Sequence, residues 1–165
     1  MFKNQAKKHQ KEWKEKNIGT KYDQYETWLT PNDAQVGKNF FDPQNKFGFN
    51  IFKGSKISVM GRYPKYRKSL CADILRSEHI PFNMFVPFEK DSNFFKNVLN
   101  AFLKDTIKSV IKIIIEYKPR PKKNYLDDGT SFDTYVEYIH NDGSKGILGI
   151  EVKYTEKAYP LKKNS

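Results

Sequence analysis

A chain of 165 residues is long enough for one domain with a real core and too short to expect two. Apolar residues at 38 % and aromatics at 15 %, with 13 Phe and 10 Tyr, exclude a disordered polybasic tail. Lys and Arg outnumber Asp and Glu by 30 to 19, and the resulting +11 points to polyanionic partners, unless the lysine excess only mirrors the composition of the source.

The single cysteine, Cys71, leaves no intramolecular disulfide and no cysteine-built zinc site, so a cytoplasmic location is expected. Met1 to Gln5 lack the apolar stretch of a secretory signal. No membrane partner is expected either, since no apolar run approaches the length of a spanning segment.

Along the chain, residues 3–16 are polar and Lys-rich, with Ala6 and Trp13 as modest anchors, and read as a solvated helix; a phosphate-binding arm is the alternative. In residues 17–60, Gly37, Pro43, Gly48 and Gly54 punctuate aromatic stretches such as Phe47-Gly48-Phe49-Asn50-Ile51-Phe52. That pattern fits short strands and ordered loops equally. Residues 65–78 read as a helix with Leu70, Cys71, Ile74 and Leu75 on one stripe and Cys71 as a structural thiol. Pro81 ends it, and Phe82 to Phe88 is an apolar connector. Ser92 is the expected N-cap of a second helix reaching Lys104, with Phe95, Val98, Leu99 and Phe102 at helical spacing.

Ser109 to Tyr117 is β-branched and reads as a strand. Pro119, Pro121, Asn124 and Asp127-Asp128-Gly129 mark a long basic turn. Ser131 to His140 and Gly146 to Thr155 are two further strands, and Asn141-Asp142-Gly143-Ser144 between them is a hairpin signal. The order helix, helix, strand, strand, strand predicts a mixed α/β (α+β) fold with helices on a central sheet. Residues 1–60 form a helical or irregular extension and residues 61–165 the domain proper.

Hydrolysis of a phosphodiester needs charge neutralised on the phosphoryl oxygens and a water oriented for attack. Two carboxylates holding Mg²⁺, with a lysine nearby, meet both needs. Glu151 and Lys153 form such an E-x-K pair on the second hairpin strand, where residues two apart share a face. Asp133 lies near the start of the first. With Asp142-Gly143-Ser144 as a three-residue loop, Asn141 pairs with Lys145 and Asp133 falls opposite Lys153. E-x-K spacing recurs at Glu12/Lys14, on a helix where such residues do not face each other, and at Glu116/Lys118, a rival with Asp105 as its partner acid.

The run Phe132-Asp133-Thr134-Tyr135-Val136, followed by Gly149-Ile150-Glu151-Val152-Lys153-Tyr154, resembles the D…E-x-K core of the PD-(D/E)XK nuclease superfamily. It is most similar to bacterial proteins described as restriction endonuclease-like. The likeness extends to Leu75-Arg76-Ser77-Glu78-His79-Ile80-Pro81-Phe82-Asn83-Met84-Phe85-Val86-Pro87, and covers roughly residues 60 to 157. It implies a restriction-endonuclease-like fold and a Mg²⁺-dependent DNA endonuclease, with Mn²⁺ as an alternative ion. Asp133, Glu151 and the Val152 backbone carbonyl would ligate the ion, and Lys153 would position the attacking water. Glu116 and Glu78 are accessory acids. Lys118, Arg120, Lys122 and Lys123 on the loop feeding the hairpin are suited to phosphate contact.

The partner implied is double-stranded DNA. Because cutting both strands needs two active sites, a homodimer is expected. The superfamily core continues with a crossover helix and a fourth strand, which Lys157 to Ser165 is too short to supply, so the domain is expected to be C-terminally incomplete. The competing functions are a non-catalytic basic nucleic-acid-binding module and an inactive nuclease remnant.

Overall fold

The computed structural model describes residues 2–19, 25–40, 47–62, 71–104, 106–124 and 131–155. At its centre is an antiparallel sheet in the order β1 (Ile107–Tyr117), β2 (Phe132–His140), β3 (Lys145–Ile150). Stiff β-branched side chains fill β1, where a pleated surface suits them. The hairpin between β2 and β3 closes through Asn141-Asp142-Gly143. The Gly143 N–H donates to the His140 carbonyl at 3.0 Å and the His140 N–H to the Ser144 carbonyl at 2.8 Å. Gly143 takes the left-handed conformation, φ +87°, that the third position of such a loop demands. The loop has the expected length but begins one residue earlier. Ile139, not Asn141, therefore pairs with Lys145. A slide of two residues preserves the pairing parity, so no side chain is moved to the opposite face.

Val136 and Tyr138 of β2 and Ile107 of β1 pack under α5 (Ser92–Leu103), against Phe95 and Leu99, and this cluster takes in Phe85. The α5 cap is Asp91 rather than Ser92: its carboxylate accepts the Phe94 N–H at 2.9 Å, a role aspartate fills as well as serine. Of the predicted apolar stripe, Phe102 stands 80 % exposed. The Asn100 side chain ties α5 to β1, accepting from the Ile107 N–H at 2.8 Å and donating to its carbonyl at 2.9 Å.

Upstream the structure departs further from expectation. The segment legible as strands or loops is the 16-residue helix α3 (Phe47–Arg62), following α2 (Pro31–Gln35). Gly48 allows α3 to lie close to the next layer, since a Cβ there would sit 3.3 Å from the Phe82 carbonyl. Phe49 and Phe52, three apart and buried, meet Phe40, Phe82 and Val86. The apolar connector is helical too. Pro81 does not stop a helix but occupies the first turn of α4 (Ile80–Phe85), where its missing N–H costs nothing.

The helix expected over 65–78 extends no further than Ala72; residues 65–70 lie outside those described. Asp73 instead bridges to Trp28, with Leu29 N–H donating to the Ala72 carbonyl and Ile74 N–H to the Thr27 carbonyl. The Asp73 carboxylate accepts the Leu75 N–H at 3.1 Å, a local bond that competes with helix continuation.

The N-terminal helix α1 (Phe2–Asn17) forms as expected, with one exception to its solvated character. Lys14 is 1 % exposed and donates to the carbonyls of Glu26 at 2.7 Å and Trp28 at 3.1 Å. Trp13, one of the two expected anchors, is 41 % exposed. Among the described residues no helix is long and apolar enough to cross a membrane.

Candidate active site

Two strands and the segment following the third carry acids to one end of the sheet. Ile115 pairs with Thr134 and Tyr117 with Phe132, which sets Glu116 of β1 opposite Asp133 of β2. On the other side Thr134 pairs with Ile150, so one step on Glu151 stands opposite Asp133, where Lys153 was expected. The Val152 N–H donates to Asp133 Oδ2 at 2.7 Å. A side chain thus takes the bond that a β2 carbonyl would otherwise accept, and β3 ends at Ile150 instead of Thr155. Glu151 and Lys153 consequently lie just past the strand, not on it. Phe132 lies over Gly149, where a Cβ would stand 2.5 Å from the ring, so β2 and β3 approach closely next to the acids.

Lys153 Nζ is bonded to Glu151 Oε1, and both side chains are about half exposed. Glu116 adopts φ +56° inside β1, a conformation costing on the order of 1–2 kcal/mol for a residue with a Cβ. Its carboxylate meets Lys56 Nζ of α3 at 2.5 Å in a largely buried ion pair. Asp133 is held above the usual aspartate range. Burial is the main cause, with the charges of Glu151 and Glu116 adding to it, against the Val152 N–H and Lys153, which favour the ionised form.

Asp133 and Lys153 open into a cleft of about 790 Å³ whose lining includes Glu78. Glu78 belongs to a 3₁₀ turn, Ser77–His79, and not to the helix predicted for it; it is ion-paired with Arg76. Lys118, Arg120, Lys122 and Lys123 are exposed on the segment after β1, which contains a cis Arg120–Pro121 bond and a 3₁₀ turn over Lys122–Asn124. None of the four lines the cleft. Asp105, needed for the rival triplet with Glu116 and Lys118, lies outside the described residues, as do Asp127, Asp128 and Gly129. His79 is a core residue, buried against the rings of Phe40 and Phe52.

Sequence reasoning missed Lys56, Arg76, Tyr25 and Trp28. Lys56 reaches its partner across 60 positions of chain, which no local spacing reveals. Arg76 stands two residues from Glu78 and was legible in principle.

Hard carboxylate oxygens suit Mg²⁺ or Mn²⁺. Among the described residues no three His, Cys, Asp or Glu side chains are grouped to hold an ion alone. What the site offers is two carboxylates, Asp133 at an open cleft and Glu151 on the segment whose Val152 N–H bonds Asp133. That donor set fits an ion that keeps several positions for water and substrate. A family model described as the PD-(D/E)XK nuclease superfamily matches residues 1–165. No curated protein and no solved structure matches the chain.

Proposed function

The chain belongs to the PD-(D/E)XK nuclease superfamily, and from that premise we propose that it is a Mg²⁺-dependent endonuclease that hydrolyses DNA phosphodiester bonds at Asp133, Glu151 and Lys153. The observation that carries the proposal is that Asp133 accepts the Val152 N–H, from between Glu151 and Lys153, at the cleft that Asp133 and Lys153 both line. Asp133, Glu151 and the Val152 carbonyl would hold the ion. When bound, it would neutralise charge on the phosphoryl oxygens and make water a stronger acid.

The chain's own groups supply the rest. The Val152 N–H fixes the orientation of the Asp133 carboxylate. Lys153, beside Glu151, positions the attacking water and offsets the charge growing on the phosphate. Glu116, kept in place by Lys56, and Glu78 are accessory acids able to hold a second water or ion. Lys118, Arg120, Lys122 and Lys123 contact the phosphate backbone of the duplex, and a homodimer places a second site on the other strand. Restriction, phage defence or mobile-element biology in the cytoplasm is the setting this chemistry serves.

The test is cleavage of supercoiled plasmid with Mg²⁺ or Mn²⁺, against EDTA and Lys153→Ala. The expected result is nicking or linearisation that needs the metal and falls by at least about 100-fold in the variant. Metal-dependent cleavage that survives Lys153→Ala would remove the site from the hairpin. Salt-sensitive DNA binding without any cleavage would identify a binding module instead.

A further inference from the structure

The cleft beside Asp133 has a wall that the hydrolytic chemistry does not use. α1 contributes Lys3 and Lys7, four residues apart and so on one face of the helix. The segment that follows contributes Tyr25 and Trp28, whose rings stack with centroids 4.3 Å apart. Most other charges around the cleft are matched within the protein. Arg76 pairs with Glu78, Lys153 with Glu151 and Glu26 with Lys11, while Asp73 accepts from Leu75 and Thr27. Lys3 and Lys7 are exposed and in no ion pair among the described residues.

An incoming ligand therefore meets two ammonium groups, an exposed tyrosine ring and the Asp133 carboxylate in one cleft. Ammonium groups suit phosphates, and an aromatic ring suits the flat face of a base. A base inside a duplex has both faces covered by its neighbours and must leave the stack to be reached. Tyr25 is 42 % exposed at the cleft. We infer that the cleft binds unpaired nucleotides, with Lys3 and Lys7 on the phosphates and a base stacked on the Tyr25–Trp28 pair. The substrate class is thereby narrowed to single strands, or strands flared from a duplex. The inference rests on the nuclease reading for the reaction at Asp133, but binding can be measured without it.

The experiment is fluorescence anisotropy in EDTA, with labelled oligothymidylate of about 12 nucleotides and a blunt duplex of the same length as probes. The single strand is expected to bind more tightly. Tyr25→Ala should weaken it by about 5- to 150-fold and leave the duplex unchanged, whereas Tyr25→Phe keeps the stack and the affinity. Lys3→Gln with Lys7→Gln should weaken the single strand and reduce its salt slope by about 1.4. These lysines are exposed, so that arm decides the question should Tyr25→Ala fail to fold. Equal affinity for both probes, or single-strand binding indifferent to both sets of substitutions, overturns the inference. Loss of binding in these variants from a protein that, with Mg²⁺ or Mn²⁺, cuts neither plasmid nor the labelled oligothymidylate would uphold the subsite and sink the nuclease reading. Lys153-dependent cutting with no effect at Tyr25, Lys3 or Lys7 would do the reverse.

Discussion

Asp133 carries a cost that function explains and stability does not. Its carboxylate is partly removed from water and feels the charges of Glu151 and Glu116, with one backbone N–H and the charge of Lys153 as compensation. Replacing it by asparagine removes the like-charge repulsion but leaves an oxygen to accept the Val152 N–H. Asp133→Asn is therefore expected to unfold at higher urea in EDTA, by up to about 1 kcal/mol after allowance for solvent screening, and to lose cleavage. A fall in urea midpoint would mean that the ionised acid is stabilising. The pairing that brings Asp133 towards the E-x-K segment was legible because hairpin parity is a local property: the loop slid by one residue and the pairing by two, and the relation between faces survived as far as Ile150, where the ladder ends. The ion pair of Lys56 and the stack of Tyr25 on Trp28 were not, because they depend on where distant segments dock. In a chain this rich in lysine and aromatics, neither residue type is a signal.

The elements divide the same way. β1, β2, β3, α1 and α5 follow from spacing alone, since each has a regular period or a turn that declares it. α3 escaped because Gly48 and Gly54 mimic loop punctuation and because its apolar residues face a core built from other helices. The docking of α1 was equally hidden, since it depends on a lysine going inside. Lys14 spans from α1 to the 25–28 segment and, beside the Lys11–Glu26 ion pair and the Gln10–Tyr154 hydrogen bond, ties α1 down by donating to two carbonyls there. Lys14→Met keeps the aliphatic stem and removes the ammonium. It should cost about 1–3 kcal/mol in urea unfolding and speed amide exchange in α1 first.

Burial of Lys14, more than its neighbour Lys11, holds its pKa below the ordinary 10.5, with Glu15 and Glu26 opposing. The unfolded chain then binds more protons between the folded value and 10.5, so wild type should gain stability over Lys14→Met as pH rises through that window. A gap between the two proteins that does not change with alkaline pH would show that the buried amine does not titrate differently on folding.

At the scale of the whole molecule, the question is whether the +11 charge acts as a diffuse field or through a defined surface. Every lysine contributes to a diffuse field, whereas only those against phosphate release counterions. The salt slope of duplex binding separates the two, because it reports the phosphates neutralised and not the total charge. Lys118, Lys122 and Lys123 are exposed on the segment after β1, close in sequence to the strand end that carries Glu116. Lys108, Lys112 and Lys145 are equally exposed on the strands themselves and serve as a charge-matched control. Replacing the first three by glutamine should reduce the slope of log K against log salt by about 2.7, at roughly 0.9 for each phosphate that is no longer neutralised, and the control by less than about 1. Equal changes in the two variants would assign duplex affinity to the field as a whole. Neither substitution touches the cleft lined by Lys3 and Lys7. A protein that holds duplex on one basic surface and an unpaired strand in another predicts that the loop variant loses duplex affinity and keeps its single-strand affinity. That separation is the behaviour of an enzyme acting where paired and unpaired nucleic acid meet.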